Sequence, residues 1–118
     1  MDPQIELEYD DIKGHPTAKK VRFIGDLDAT NVETVLEKIC NLFNTGFINI
    51  VADFQKLRYV NSTGLGILLH FSKSAKEKNG SFKIANVNEN VYEIIEIIGA
   101  TSLLEIYDDL DEALAALK

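Results

Sequence analysis

Tyr59-Val60-Asn61-Ser62-Thr63-Gly64-Leu65-Gly66-Ile67-Leu68-Leu69-His70 reads as a short polar turn opening directly into a helix. Asn61 and Ser62 are both N-cap residue types, since each can offer a side-chain oxygen to an unpaired amide of the first helical turn. Thr63 then falls at or beside the positive end of the helix, where the dipole and free N–H groups tolerate a phosphate. Leu65, Leu68 and Leu69 anchor the helix to a core. A hydroxyl pair at the mouth of a rigid helix is suited to a covalent switch.

Working outward, Phe47-Ile48-Asn49-Ile50-Val51 is nearly all apolar, as in a strand covered on both faces. Ahead of it, Val32, Val35, Leu36, Ile39 and Phe43 recur at helical spacing, ending at Gly46. Thr30-Asn31-Val32-Glu33 predicts a capping box at that helix's start. Earlier still, Ile5-Glu6-Leu7-Glu8-Tyr9 alternates as a half-exposed strand does, and Val21-Arg22-Phe23-Ile24 marks a second. On the other side, the central helix is expected from about Ser62 to Lys78, stopped by Asn79-Gly80. Phe82-Lys83-Ile84-Ala85 is a further strand. Val91, Ile94, Ile95 and Ile98 mark a third helix closed by Gly99, and Leu104-Glu105-Ile106-Tyr107 a short last strand. Asp109 and Glu112 open a final helix whose inner stripe is Leu110, Ala113, Leu114 and Leu117. Strands alternating with amphipathic helices predict an α/β sandwich with a mixed, mostly parallel sheet of four to five strands and about four helices. A single domain spanning residues 1–118 is expected.

Composition narrows the function. The chain has 118 residues, 46% hydrophobic and 26% charged, as expected for a globular domain with its own core. Its 12 basic against 19 acidic residues leave a net charge of −7, which repels phosphodiester backbones and argues against nucleic acid as a partner. The lone Cys40 suits a reducing compartment and allows no internal disulfide. Met1-Asp2-Pro3-Gln4 has neither a basic nor an apolar signal-peptide region, and no apolar run approaches the roughly 20 residues of a membrane span. A cytoplasmic protein without a membrane partner is expected.

Enzyme motifs are missing. Gly64-Leu65-Gly66 lacks the third glycine of a dinucleotide fingerprint, position 69 being Leu, and no Walker-type motif occurs. His15, His70 and Cys40 show no metal-ligand spacing, so no metal or other cofactor is expected. His70 lies two helical turns from Ser62, too far to activate it. No catalytic residue is assigned.

Asn61-Ser62-Thr63-Gly64-Leu65-Gly66, preceded by Val51-Ala52-Asp53-Phe54, resembles the Asp-Ser-Ser-Gly-Leu-Gly signature of STAS domains (sulphate transporter and anti-sigma factor antagonist). Gly25-Asp26-Leu27-Asp28 resembles that family's Gly-acidic-Leu-Asp segment. The resemblance runs from about Val21 to the C-terminus, with Asn61 in place of the usual Asp and Thr63 in place of the commoner Ser. It implies an anti-sigma factor antagonist of the bacterial partner-switching type. Thr63, with Ser62 second, is then the residue phosphorylated by an anti-sigma factor serine/threonine kinase, and a phosphatase resets it. Asp26 and Asp53, placed at or just beyond strand ends, would line that site and orient the hydroxyl. Asp28 reads equally as a solvated loop carboxylate.

Projection of the central helix puts Leu65, Leu68, Leu69, Ser72 and Ala75 on the core side and Thr63, Ile67, His70 and Ser74 on the other, flanked by Gly66. Gly66 costs about 0.8–1 kcal/mol relative to Ala there, explained either by close packing within the fold or by a partner's close approach. The resemblance favours the partner, so Asn61, Ser62, Gly64, Gly66, an exposed Ile67 and His70 join the acids as the expected docking loop. A monomer or weak dimer is expected. The rival reading is a non-switching STAS scaffold or small-ligand-binding regulatory module, in which Asn61 and Thr63 only shape the loop.

Overall fold

In the computed structural model, which describes residues 5–117, the chain runs β1 (Ile5–Asp11), β2 (Ala18–Leu27), α1 (Val32–Asn44), β3 (Asn49–Val60), α2 (Ser62–Glu77), β4 (Ser81–Ala85), α3 (Glu89–Ile98), β5 (Glu105–Tyr107) and α4 (Leu110–Ala115). Met1-Asp2-Pro3-Gln4, read above for a signal peptide, and Lys118 lie outside the described residues. The strands form one sheet in the order β1-β2-β3-β4-β5. Only the β1–β2 pair is antiparallel, so the sheet is mixed and mostly parallel as expected.

Each parallel step uses a helix as its crossover, and the common right-handedness of such crossovers puts α1, α2 and α3 on one face of the sheet. Their apolar stripes meet the inward residues of the strands: Val35 and Ile39 from α1, Leu65, Leu68 and Phe71 from α2, and Val91 and Ile95 from α3 close over Val21, Phe23, Phe54 and Phe82. Phe23 and Phe54 pack edge-to-face with ring centroids 5.0 Å apart, and Phe71 lies 5.5 Å from Phe82. Phe71, absent from the projected core stripe, is among the largest fully buried side chains. The last helix does something different. After the short β5 it folds back onto the opposite face, where Ala113 closes a small second core with Val51 and Ala85.

β3 is longer than its apolar run predicts. It continues through Val60, pairing with β2 beyond the end of β4. Two register shifts, between Arg22 and Ile24 and between Gly25 and Asp26, each give β3 one residue more than β2. Phe54, Leu57 and Val60 are therefore buried at intervals of three, a spacing that conceals a strand from any test of period two.

The predicted capping box of α1 does not form. Asn31, only 2% exposed, turns inward: its Nδ2 donates to the Asp26 carbonyl at 2.8 Å and its Oδ1 accepts from the Asp28 amide at 3.1 Å. The N-cap position falls on Asn31, one residue later than that pattern assumes, and the Thr30 hydroxyl instead donates to Asp28 Oδ1 at 2.5 Å within an Asx turn. The other boundaries follow the local signals. Asp109 caps α4, accepting from the Glu112 amide at 2.9 Å. Gly99 ends α3 with φ 81°. Gly80 closes the turn after α2 because a Cβ there would stand 1.9 Å from the Ile48 carbonyl oxygen. Ile98, which helped mark α3, is its last residue and is half exposed.

Candidate functional site

The loop between β3 and α2 lies at the carboxyl end of the two central long strands, beside the turn between β2 and α1. Leu27 and Val60 are the last paired residues of β2 and β3. Just past them the Asn61 amide donates to the Leu27 carbonyl at 3.2 Å, so the chain stays tied to the neighbouring strand as it turns. Of the two candidate caps the structure uses Asn61. Its Oδ1 accepts from the Gly64 amide at 2.8 Å, and its backbone is extended, as an N-cap requires. Ser62 and Thr63 become the first two residues of the helix, and both are exposed. Their amides carry no hydrogen bond among the described residues, as expected at the start of an α-helix.

The two glycines that follow have opposite reasons. Gly64 is buried, and a Cβ on it would stand 2.6 Å from the Leu27 carbonyl oxygen and 2.8 Å from Val60 Cγ2. Only a residue without a side chain lets α2 begin this close to the sheet. Gly66 is exposed, with nothing within 4 Å of where its Cβ would be, so packing within the fold does not account for it. Ile67 departs from its expected exposure. It is half-buried, packed against the main core, while His70 further along is exposed, with Nε2 3.5 Å from the Ser74 hydroxyl. At about 100° per residue, Ile67 sits nearer the buried Phe71 and Gly64 than Gly66 does.

The three acidic residues separate. Asp28 directly follows Leu27, whose carbonyl touches the Gly64 position, so Asp28 and Thr63 are each one residue from the same contact. Its Oδ1 accepts from both the Thr30 hydroxyl and the Thr30 amide, and these bonds hold its carboxyl below the usual aspartate range. Asp26 is opposite Tyr59 near the strand end, but it alternates with the buried Leu27 and so faces away from α2. There it pairs with Arg58 Nε at 3.3 Å. Arg58 is the residue that the second register shift adds to β3, and a bulge re-aims a side chain in this way.

Asp53 is not brought to this loop. It lies inside β3, seven residues before Val60, opposite Arg22 and Ala85, and is 1% exposed. It shares the sheet face of Val51, the one α4 covers, since Ala52 and Phe54 point into the main core. Asn86 Nδ2 donates to it at 3.1 Å, the Gln55 amide at 3.0 Å, and Arg22 Nε stands 3.7 Å away. The expectation of a strand-end position failed because β3 outruns β4. Asp53 marks the end of the β3–β4 pair, where it pins Asn86, not the end of β3.

A polar residue that sequence reasoning passed over closes the gap left by the short β4. Asn88 caps α3 by accepting from the Val91 amide at 2.8 Å, while its Nδ2 donates to the Leu57 carbonyl at 2.8 Å. That carbonyl lies on the part of β3 with no β4 residue beside it. The available signal was Asn88 followed by Glu89 and the apolar spacing of α3, which marks a cap but not its second bond. Among the described residues no three His, Cys, Asp or Glu side chains gather to hold a metal ion, and no helix is long and apolar enough to cross a membrane.

Comparison with known proteins agrees with this architecture. The anti-sigma F factor antagonist of Paenibacillus polymyxa is 28% identical over 119 aligned positions, covering 100% of this chain and 97% of that protein. An anti-sigma factor antagonist from Mycobacterium paratuberculosis superposes with a TM-score of 0.83 at 21% identity, over 96% of this chain and 93% of that one. The Bacillus anti-sigma factor antagonist SpoIIAA has the same fold in its unphosphorylated form, with a TM-score of 0.71 at 18% identity over 93% of this chain and 94% of that one. Its phosphorylated form gives 0.69 at 19% identity over 93% and 97%. The STAS domain family model matches residues 9–113. With nearly the whole chain inside that match and the sheet order and helix placement described above, the protein belongs to the STAS domain family.

Proposed function

We propose that this protein is an anti-sigma factor antagonist controlled by phosphorylation of Thr63. The observation that carries the reading is the placement of Thr63: exposed, in the first turn of α2, directly before the buried Gly64 and on the same open side as Gly66. In the unmodified protein this surface docks on an anti-sigma factor of the serine/threonine kinase type and so frees a sigma factor. The Gly66 side of α2 lets that partner approach the helix backbone closely.

Phosphorylation adds close to two negative charges one residue from the contact beside Asp28, whose own carboxylate is already held ionised. The free amides and dipole of the first turn accommodate those charges locally. Modification therefore leaves the fold in place and acts on the docking surface, which becomes strongly acidic. A phosphatase restores the starting state. The protein contributes recognition rather than catalysis, and the switch operates in the cytoplasm, where kinase, ATP and sigma factor meet.

The test is incubation with ATP and the cognate kinase, followed by intact-mass measurement and site mapping. A single phosphate on Thr63, with Thr63→Asp weakening kinase binding and Thr63→Ala binding permanently, is the expected result. Modification confined to Ser62 overturns the choice of Thr63 as acceptor, and no modification with an active kinase overturns the switch and leaves the non-switching scaffold as the reading. Asn61 keeps the cap while removing the charge of the family's usual Asp. Asn61→Asp should therefore speed phosphorylation, and an unchanged rate would make that departure neutral.

A further inference from the structure

We propose that the protein also self-associates, as a weak two-fold dimer in which the acidic outer face of α3 in each copy lies on a basic apolar groove beside α2 of the other. The groove lies on the flank of α2 away from α1. It has a volume of about 480 Å³ and is lined by Leu69, Ser72, Lys73, Lys76, Glu77 and Leu103. Leu103, in the turn after α3, is 57% exposed although its neighbour Leu104 is buried. Lys73 and Lys76 make no ion pair among the described residues, in a chain whose net charge is −7.

Its complement is on the same chain. α3 reads Glu-Asn-Val-Tyr-Glu-Ile-Ile-Glu-Ile-Ile and contains no basic residue. Its outer face carries Glu93, Glu96 and Ile97, and Ile97 is 76% exposed, the most of any large apolar side chain among the described residues. Glu89, Glu93 and Glu96 are likewise without an ion-pair partner there. An amphipathic helix normally turns such an isoleucine inward, and here the inner stripe is already supplied by Val91 and Ile95. Leu103 follows α3 by five residues and its carbonyl accepts from the Ser72 hydroxyl at 3.5 Å, so the turn leaving α3 lies against the groove side of α2. In a two-fold arrangement residue i meets j while j meets i, so one rotation fills both grooves at once. Lys73 and Lys76 then face Glu93 and Glu96 across the contact, with Ile97 against Leu69 and Leu103. The patch is small, which places the dimer in the weak class of interface.

This surface does not use Thr63, so the test is independent of phosphorylation. Sedimentation equilibrium of the full chain at low salt should show a monomer–dimer equilibrium with a Kd on the order of 1 mM or tighter. Ile97→Ser should raise that Kd at least tenfold. The variant Lys73→Glu/Lys76→Glu and the variant Glu93→Lys/Glu96→Lys should each be monomeric alone. Mixed together they should form a heterodimer with a Kd within about threefold of the original, because every repelling contact becomes an attracting one. All four exchanged side chains are exposed, and an unchanged circular dichroism spectrum confirms folding. A chain that stays monomeric at millimolar concentration overturns the proposal. So does a dimer indifferent to these substitutions, or paired variants that fail to associate. Loss of kinase binding in the lysine variant, without self-association of the parent chain, would assign the groove to that partner and equally overturn it.

Discussion

Two strand-to-helix turns lie side by side at the same end of the sheet, and both place an Asn just ahead of the helix. In the turn from β2 to α1, Asn31 is buried and its amide ties the Asp26 carbonyl to the Asp28 amide, while Asp28 binds both donors of Thr30. That turn satisfies itself. In the turn from β3 to α2, Asn61 caps only the Gly64 amide and leaves the Ser62 and Thr63 side chains facing outward. The same residue type thus serves as an internal brace in one turn and as a simple cap in the other. A turn whose polar groups are used internally has little left to offer a partner, and the second turn has kept its hydroxyls free.

The contrast breaks most sharply at Gly64. Gly64→Ala should destabilise the protein by about 2–3 kcal/mol, since the new Cβ meets the Leu27 backbone oxygen rather than a side chain that can rotate away. Calorimetry checks this, and a loss below about 1 kcal/mol would mean that α2 shifts freely and that the seating of the Thr63 turn is not rigid. Next in size is Asn31→Ala, expected to cost about 2 kcal/mol because it strands a part-buried carbonyl and amide beside the space the buried side chain leaves. Asn61→Ala should cost only about 1 kcal/mol, the ordinary loss of an N-cap. Equal losses for the two, measured by denaturant midpoint, would erase the distinction between brace and cap.

Gly66→Ala should move the other way, stabilising by up to about 1 kcal/mol, because the helix gains propensity and the methyl group meets open space. If the same variant binds the proposed kinase partner less well, the exchange of stability for access is direct. The smallest effect concerns Asp28. Removing the Thr30 hydroxyl by Thr30→Val should raise the Asp28 pKa toward the ordinary aspartate range, read by NMR titration. The sign follows from linkage: a carboxyl depressed in the folded state contributes stability above its unfolded pKa, lost as pH falls through the folded pKa. In this variant that loss should begin at higher pH, and an unmoved titration would mean that the Thr30 amide alone holds the carboxylate.

Much of this was legible from residues alone. The alternation of apolar strands and helices, the caps at Asn61 and Asp109 and the closing Gly99 are all written in short-range chemistry. Each needs only its own turn of chain to be satisfied. The Asn61–Gly66 stretch likewise declared a polar helix mouth before any coordinates, and the family resemblance named its class. Most of what local signals missed has one source: contacts between strands and layers distant in sequence. Phe54, Leu57 and Val60 fell outside the apolar run that marked the strand because the register shifts that extend it belong to the β2–β3 pair. Asp53 looked like a strand-end acid because the end of β4 cannot be read from β3. The capping box read from Thr30 and Glu33 failed closer to home: Thr30 bonds the Asp28 carboxylate and Asn31 the Asp26 carbonyl, both within five residues.

The sequence by itself determined the order of elements, the parallel architecture and the presence of hydroxyls at the start of α2. Those follow from periodicity and capping, which act over a few residues. Only the tertiary structure decided that Gly64 is a packing glycine and Gly66 an open one, that Ile67 leans into the core, and that Asp28 rather than Asp53 stands beside the loop. Each of these depends on what lies across a layer or on the neighbouring strand, and a side chain's own sequence neighbours carry no record of that.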